Sequence, residues 1–434
     1  MEIMDILVTW LPLIITFILL MLRIPVAVSF FSGAFLYFTF FCTDLSATAV
    51  VQKMITSGMN ANFLAVPFFI TAGVVMNYGG ISERVMDICN VIVGHRRGGL
   101  AKVNVLLSTL MGGICGSSGA DCACECKILV PEMVKHGYTP GFSAAVTAAS
   151  SLISPIIPPG TSLILYASMT GSSVVAMYYA GYIPGILLCV IQLLVIDIIA
   201  IKRHFTPDRD RKATKAEIGH AFKKGWPALL MPIIMLLGVR TGWFTPTEGG
   251  LVLIAMCAVI GAFVFNNIKK QDIKPMLREA LSSTVNVSLI IVSAVLFSLY
   301  LSWERIPQNI AAMLANMTSS KAVFLILANL MLLVMGMFLD GTAVLMIATP
   351  LLFPAAQAFG INLVQFGIIM VLNIQTGGLT PPFGGVMYIS CHLCHVELPD
   401  FIKNVAPFLL GVLLEIILVS AVPAISTFLP NLLY

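Results

Sequence analysis

Two short polar stretches interrupt long apolar segments of the sequence, and both are rich in groups that bind ions. They are residues 116–121 (GSSGAD) and residues 338–343 (FLDGTA). Hard cations prefer oxygen ligands, which hydroxyls, carboxylates and free backbone carbonyls supply. A helix that begins beside such a stretch also offers N–H groups and a positive dipole end to a carboxylate. The residue types therefore predict a site for a small cation and an organic anion.

Two further polar breaks lie downstream, at residues 154–160 (SPIIPPG) and 376–382 (TGGLTPP). Proline removes a backbone donor and interrupts a helix. Broken backbone at membrane depth is tolerated only where protein or a wet cavity surrounds it, and transporters bind ions and substrates at such breaks. The predicted sodium and substrate ligands come from all four stretches: Gly116, Ser117, Ser118, Asp121, Ser154, Pro158, Pro159, Asp340, Gly341, Thr342, Gly377, Gly378, Thr380 and Pro381.

The glycines, serines and aspartates among these residues also have a structural explanation. Glycine and serine permit close helix packing in membranes. Asp121 and Asp340 could each cap the helix that follows, or cap it and still favour a bound cation, because carboxylates inside a membrane are usually functional. Glu125 lies one turn after Asp121 on the same helical face. The groups expected to face a cation are the carbonyls of Gly116, Ser117, Ser154, Gly341 and Gly377 and the hydroxyls of Ser118, Thr342 and Thr380.

The composition is that of a helical protein that crosses a membrane many times. The chain has 434 residues, of which 59% are hydrophobic and only 10% charged, whereas soluble domains carry about 25% charge. Between Lys135 and Asp197 no side chain is charged except His136. The alternating segments of a β-barrel are missing. A net charge of +4 gives no support for nucleic-acid binding, and no nucleotide loop, zinc motif or catalytic constellation points to an enzyme.

The ten cysteines lie mostly in apolar segments, so a disulfide framework is not expected. Cys122, Cys124 and Cys126 do not converge on one ion if they lie on a helix. The segment 391–395 (CHLCH) could in principle bind a metal, because residues three apart share a helical face. Helix packing is the alternative explanation for both clusters. We expect no bound metal other than sodium and no other cofactor.

The apolar segments predict two similar halves, each with a hairpin that enters the membrane and returns, and a broken helix. Residues 6–22 lack a basic leader and a cleavage site, which predicts a first transmembrane helix rather than a signal peptide. The first half, 1–205, is predicted to contain helices at 6–22, 26–42 and 62–78, an interfacial segment at 45–59, a polar turn at 83–102, a hairpin at 103–134, a broken helix at 140–170 and a helix at 174–201. The second half, 226–434, is predicted to contain helices at 226–239, 248–265 and 283–302, a hairpin at 321–358, a broken helix at 362–393 and a helix at 404–428.

The halves are related by a constant offset of 223 residues. Pro131 aligns with Pro354, Gly137 with Gly360, and the prolines 158–159 with 381–382. Matches in one register beside each break indicate an internal repeat. The linker at 206–225 lies in a segment, 202–224, that holds eight of the 24 basic residues, which predicts a cytoplasmic position. Residues 269–278 predict another cytoplasmic loop.

Topology follows from these basic loops. The first hairpin is predicted to open to the cytoplasm. Five predicted crossings then separate the two hairpins, so the second copy is inverted, its hairpin opens to the opposite side and both termini lie outside. Inverted repeats with facing hairpin tips are typical of a secondary transporter with its site near the midplane.

In motif content and order, nearly the whole chain resembles the large membrane subunit (DctM-type) of tripartite ATP-independent periplasmic, or TRAP, transporters. The matching motifs in the first half are PFF at 67–69 with AG at 72–73, Asn77 with GG at 79–80, GGL at 98–100, VNV at 103–105, GSS at 116–118 with AD at 120–121, PEM at 131–133, GY at 137–138 and IPP at 157–159. Those in the second half are TPTE at 245–248, LD at 339–340, Gly367, LN at 372–373 and LTPP at 379–382.

The resemblance implies an all-α, polytopic protein of the bacterial cytoplasmic (inner) membrane. It implies the transport subunit of a sodium-coupled importer of a carboxylate or sugar acid, working by an elevator-type movement of hairpins and broken helices. The implied partners are a small four-helix (DctQ-type) membrane subunit and a periplasmic substrate-binding protein. A stand-alone carboxylate carrier with the same plan is the alternative, while a channel fits the Pro-Pro breaks less well.

The sequence departs from the family pattern in two places. The family usually has small apolar residues along the arm after the first tip, where this chain has CACECK at 122–127. The family often has serine after the paired prolines, where this chain has Gly160 followed by Thr161 and Ser162. Both departures lie beside the predicted site, so they bear on which solute is carried.

Overall fold

The structure is a computed structural model that describes the chain except residues 1, 23, 43–45, 60, 115, 210, 318–319, 382–383 and 434. Pro382, predicted to lie in the second break and to match Pro159, is therefore outside the described residues. The described residues form helices without a β-strand, apart from one isolated bridge between Arg97 and Pro207. The prediction of an all-helical chain is confirmed.

The first half of the chain contains ten α-helices in the described residues. Short π and 3₁₀ turns at Tyr37–Phe41 and Ser151–Ile153 continue the second and eighth helices. The helices are α1 (Glu2–Met21), α2 (Val26–Leu36), α3 (Ala47–Gly58), α4 (Ala61–Tyr78), α5 (Ile81–Val93), α6 (Gly99–Gly112), α7 (Ser118–Lys135), α8 (Pro140–Ser150), α9 (Thr161–Thr170) and α10 (Val174–Lys202).

The second half also contains ten α-helices among the described residues, with a π turn at Ile260–Val264 after the second of them. They are α11 (Lys215–Arg240), α12 (Pro246–Val259), α13 (Lys270–Trp303), α14 (Ile306–Met317), α15 (Lys321–Phe338), α16 (Gly341–Ala358), α17 (Leu363–Leu379), α18 (Gly385–Cys394), α19 (Leu398–Ala421) and α20 (Ala424–Leu433). In the described part of the chain, seven helices are long and apolar enough to cross a membrane, or up to eight if a bent pair counts as one span.

The polar turn predicted at 83–102 is wrong, because most of it is helical. Helix α5 follows α4 after a bend of 71°, and Gly80 at the bend has a φ of +67°. Ile81, Val85 and Ile88 are buried on one face of α5, so the charges between them occupy its outer face. The last residue of the predicted turn, Lys102, lies inside α6, where its buried ammonium group is 2.5 Å from an oxygen of Asp197.

Two helices of the second half begin earlier in the sequence than predicted. Helix α11 starts at Lys215, inside the predicted linker, and Thr214 and Glu217 form a capping box there. The sequence Thr-x-x-Glu is the usual signature of such a start. Helix α13 starts at Lys270, so the loop predicted at 269–278 is mostly helix. Helices α14 and α20 were not predicted.

The bounds of the helices follow the 223-residue offset. Helix α7 begins at Ser118 and α16 begins at Gly341, and both have 18 residues. The two π turns begin at Tyr37 and Ile260, which are also 223 positions apart. The unpredicted α14 occupies the position that corresponds to α5. The inversion of one half relative to the other stays a prediction.

The helices pack in two groups. In the first, here called the scaffold group, α13 packs on α2 and α4, α12 packs on α4, and α11 packs on α5. In the second, the hairpin group, α7 packs on α8 and α18, α15 on α17, and α19 on α8 and α10. The groups meet where α4 contacts α9, where α5 contacts α6 of the first hairpin and where α13 contacts α16. The two polar tips belong to the hairpin group and face the junction between the groups.

Candidate functional site

The tips of the two hairpins lie on either side of a small polar cavity, here called the tip cavity. One tip joins α6 to α7, and the other joins α15 to α16. The volume of the cavity is about 150 Å³, which is enough for ions, waters or one carboxylate but below the roughly 300–1,000 Å³ of a small-molecule site. Its predicted lining residues are Gly116, Ser117, Ser118, Asp340, Gly341, Thr342 and Gly378, joined by Pro155, Thr161, Ser162 and Gln375 among others.

At the first tip, Gly116 makes a tight contact with the first broken helix. Its φ is +60°, and a Cβ built there would lie 2.6 Å from the carbonyl oxygen of Pro159. The Gly116 carbonyl accepts hydrogen bonds from both the backbone N–H and the hydroxyl of Thr161, at 3.2 and 2.9 Å. Both lone pairs of this oxygen are thus engaged, so it joins the tip to the break rather than facing the cavity as a free ligand.

At the second break, a backbone carbonyl also accepts two hydrogen bonds from one threonine. The carbonyl of Gly377 accepts hydrogen bonds from the backbone N–H and hydroxyl of Thr380, at 3.0 and 2.8 Å. A Cβ at Gly377 would lie 2.4 Å from the Cα of Gly336 in α15. Gly377 thus permits close packing of α15 against α17. Neither Gly377 nor Thr380 lines the tip cavity, nor does the adjacent Pro381.

A chain of three polar side chains crosses the tip cavity and connects the two halves. The Ser118 hydroxyl donates to Oε1 of Gln375 at 2.7 Å, and Nε2 of Gln375 donates to the Ser162 hydroxyl at 3.3 Å. Gln375 was missed in the sequence analysis, although its position as a polar residue just before a break was a usable signal. Ser162 was named only as part of the departure that follows the paired prolines. The contacts themselves depend on the three-dimensional packing of α7, α9 and α17.

Asp340 is the N-cap of α16, as one of its two explanations predicted. Its side chain accepts a hydrogen bond from the backbone N–H of Thr342 at 2.9 Å. The residue is exposed and lines the tip cavity beside Gly341. A carboxylate has a second oxygen and further lone pairs, so capping leaves acceptor capacity toward the cavity.

Asp121 is not a cap, so that explanation is wrong. Helix α7 begins at Ser118, with Ser117 at the N-cap position, and Asp121 lies one turn further. The Asp121 side chain is buried and accepts a hydrogen bond from the hydroxyl of Ser154 at 2.6 Å. It therefore turns away from the tip cavity toward the first break, whose prolines Pro158 and Pro159 are also buried.

A buried polar layer lies behind the first tip. Glu125 is 1% exposed, and its carboxylate accepts a hydrogen bond from Ser108 at 2.9 Å and lies 3.4 Å from the Ser150 hydroxyl. Ser150 donates to Asn104 at 2.7 Å, and Asn104 donates to Thr147 at 2.6 Å. Asp121, Ser154 and Glu125 thus lie between α6, α7 and the end of α8. Of the predicted ligands, those outside the tip cavity are Asp121, Ser154, Pro158, Pro159, Gly377, Thr380 and Pro381.

The cysteines of the first arm are contact residues between helices. Cys122 Sγ lies 3.9 Å from the carbonyl of Val386, and Cys126 Sγ lies 3.7 Å from the hydroxyl of Ser390. Both contacts hold α7 against α18. Among the described residues, no three His, Cys, Asp or Glu side chains lie close enough together to hold a metal ion.

A larger cavity of about 900 Å³, here called the main cavity, adjoins the tip cavity. Ser117, Asp340 and Ile389 line both cavities. The walls of the main cavity are α4, α5 and α13 of the scaffold group and α7 and α18 of the hairpin group. Its volume is that of a site for a drug-sized molecule. Its polar lining residues include Asn77, Tyr78, Glu83, Lys127, Glu279, Ser283 and Asn286.

The profile of one protein family, described as the tripartite ATP-independent periplasmic transporter, DctM component, matches residues 13–425. The chain belongs to the DctM family of TRAP transporters. DctM proteins are transporter permeases of the inner membrane and not enzymes, and this chain has seven or more helices that are long and apolar enough to cross it among the described residues. The resemblance inferred from the motifs is confirmed.

Named members of the family are similar over nearly the whole chain. The sialic acid TRAP transporter permease protein SiaT of Haemophilus influenzae is 32% identical over 424 residues, which are 98% of this chain and 68% of that protein. The C4-dicarboxylate TRAP transporter large permease protein DctM of Pseudomonas aeruginosa is 34% identical over 386 residues, or 89% of this chain and 90% of that protein.

The fold is also similar to that of a solved transporter. The crystal structure of the Alcanivorax borkumensis YdaH transporter matches with a TM-score of 0.60 at 15% identity, covering 87% of this chain and 89% of that one. At this identity the likeness concerns the arrangement of helices alone.

Proposed function

We infer that this DctM-family chain is the large permease subunit of a sodium-coupled importer of an organic acid. The observation that supports this function best is the tip cavity, where two helix starts and several hydroxyls converge from both halves of the chain. Helices α7 and α16 both begin at this cavity, so their N–H groups and dipoles favour an anion there. Asp340 at the same cavity favours a cation. A coupled cation and carboxylate would thus offset each other's charge.

The proposed partners are a small four-helix membrane subunit and a periplasmic binding protein that delivers the solute. The relatives' names support the class of solute, since one is a sialic acid transporter permease and another a C4-dicarboxylate transporter permease. Both solutes are organic acids, so this chain is proposed to carry one too.

The proposed movement is of the elevator type, in which the hairpin group slides along the scaffold group. Two features support it. The tips lie in the hairpin group, and the main cavity separates α7 from α4 and α13. In the proposed topology the mouth of this cavity, beside Glu83 and Glu279, faces the cytoplasm.

Reconstitution tests the proposal. The chain, the small subunit and the binding protein are placed in liposomes, and uptake of radiolabelled organic acids is measured with and without an inward sodium gradient. We expect uptake only with all three components and the gradient. Uptake by this chain alone would instead identify a stand-alone carrier, and uptake that ignores sodium would refute sodium coupling.

A further inference from the structure

Lys127 occupies a distinctive position in the main cavity. It is the only basic residue among the described residues that line this cavity. Its side chain is exposed there, and it forms no hydrogen bond or ion pair with any residue in the described part of the chain. It belongs to the segment 122–127, which departs from the small apolar pattern usual in the family. A lysine without a partner in a concave site is available to a ligand.

The geometry of α7 directs Lys127 along the cavity. Ser117, Ala120, Cys124 and Lys127 recur three or four positions apart and line one wall. The ten helical steps from Ser117 to Lys127 span about 15 Å. Side chains on a helix tilt toward its N-terminus, so the lysine stem leans back toward the tip. One carboxylate therefore cannot contact the tip and Lys127 at the same time, so a solute that leaves the tip reaches Lys127 afterwards.

The other charges of the cavity all have the opposite sign. Glu83, Glu279 and Asp340 are the acidic residues among its described lining. The hydroxyl of Tyr78 donates to Glu279 at 3.1 Å, whereas Asp340 caps α16. One ammonium group among three carboxylates can pair with one acid group of a solute. A second carboxylate on the same solute would lie among like charges, which repel it.

The main cavity is also lined by uncharged polar residues. Asn77 and Asn286 offer amide donors and acceptors, and Ser117 and Ser283 offer hydroxyls. These groups, which come from α4, α7 and α13, suit a solute with several hydroxyl or amide groups.

We propose that Lys127 binds the carboxylate of the solute and restricts this transporter to monocarboxylates that carry hydroxyl, amide or amino groups, such as sugar acids, at the expense of C4-dicarboxylates. This inference rests on the proposed function, because it names the solute of the same site. The solute would contact Lys127 when it leaves the tip toward the cytoplasmic mouth of the cavity. The helix sequence 122–127 would then set the solute preference of this chain.

Cys124 provides a native reporter in the same cavity, one turn before Lys127. The test uses the full-length permease in detergent or nanodiscs, with N-ethylmaleimide as the thiol reagent and mass spectrometry of the Cys124 peptide as the readout. The probes are sialic acid, D-gluconate, succinate and uncharged sorbitol. We expect sialic acid or D-gluconate to slow alkylation, and succinate to need about tenfold higher concentration for equal protection. Equal protection by succinate would overturn the proposal.

Three substitutions test whether the positive charge of Lys127 is needed for protection. Lys127→Met should raise the D-gluconate concentration needed for protection about tenfold, because an exposed charge-assisted bond is lost. Lys127→Arg keeps a positive charge, so it should need a concentration close to that of the unmodified chain. Lys135→Met, on the same helix but outside the cavity, should change nothing. Unchanged protection in Lys127→Met would overturn the proposal. Thermal melting checks that each variant is folded, which is expected because Lys127 is exposed.

A gain of function provides an independent check. Glu83→Gln and Glu279→Gln remove negative charge near the mouth, so the double variant should need less succinate for the same protection. No change there would contradict the charge argument. The proposed function is tested separately by uptake in the three-component liposomes. Failure to import any organic acid would refute that function, whereas import with a preference unaltered in Lys127→Met would refute only the role of Lys127.

Discussion

Gly377 of α17 and Gly336 of α15 pack backbone against backbone. A Cβ on Gly377 would lie 2.4 Å from the Cα of Gly336, and one on Gly336 would lie 2.9 Å from the Cα of Gly377. The backbone atoms of either helix cannot move aside as the end of a flexible side chain can. This contact holds one arm of the second hairpin against the helix that ends at the second break.

We therefore expect Gly377→Ala to destabilise the protein by about 1–3 kcal/mol, the usual cost of overpacking. The matched control is Gly378→Ala, because a Cβ at Gly378 would meet only a Val386 methyl at 3.6 Å. Thermal melting of both variants measures the difference. Equal melting temperatures would show that α15 can move away from α17 without cost.

The hydrogen bond from Ser154 to Asp121 predicts a mainly structural role for this carboxyl group. Both side chains are buried, and neither lines the tip cavity. Asp121→Ala leaves the Ser154 hydroxyl without this acceptor, so we expect a loss of about 1–3 kcal/mol. Asp121→Asn keeps an acceptor oxygen and should be milder. We expect the sodium concentration for half-maximal uptake to change less than twofold in Asp121→Asn, because the change is nearly isosteric and lies outside the tip cavity. A large shift in that concentration would move Asp121 into the ion site.

The basic loop between the halves predicts which side of the membrane this part of the chain faces. Asp208 in this loop accepts hydrogen bonds from the backbone N–H of Leu100 and the hydroxyl of Tyr138, at 2.8 and 2.7 Å. These two residues lie at the open end of the first hairpin, so the loop and that end share one side of the membrane. We predict that a cysteine at Lys212 in intact cells is not labelled by an impermeant maleimide added outside. Labelling before the cells are lysed would show that the predicted orientation in the membrane is wrong.

The sequence predicted the class of fold, and seven of the residues that it singled out line the tip cavity, because its signals were local. Apolar length gave the spanning helices, and Gly, Pro and Asp marked the tips and breaks. Helix α5 was missed because Glu83 and Arg84 obscured apolar residues at helical spacing. The pairing of Lys102 with Asp197, the packing of Gly377 on Gly336 and the bridge through Gln375 were not predictable. They depend on which helices become neighbours, and no local pattern encodes that.

The two tips differ in charge, which leads to the last prediction. Asp340 caps α16 and also lines the tip cavity, whereas the residue 223 positions earlier, Ser117, contributes only a dipole. A carboxylate adds a full charge beside a bound cation. We expect Asp340→Asn to raise the sodium concentration for half-maximal uptake about fivefold, equivalent to about 1 kcal/mol, and Ser117→Ala to raise it less. Asn caps helices as well as Asp does, so melting temperature should change little. Sodium-dependent uptake by the reconstituted complex, together with sodium-induced thermal stabilisation, measures both variants beside the unmodified chain. An Asp340→Asn variant with unchanged sodium dependence would leave Asp340 as a helix cap alone and exclude its charge from the ion site.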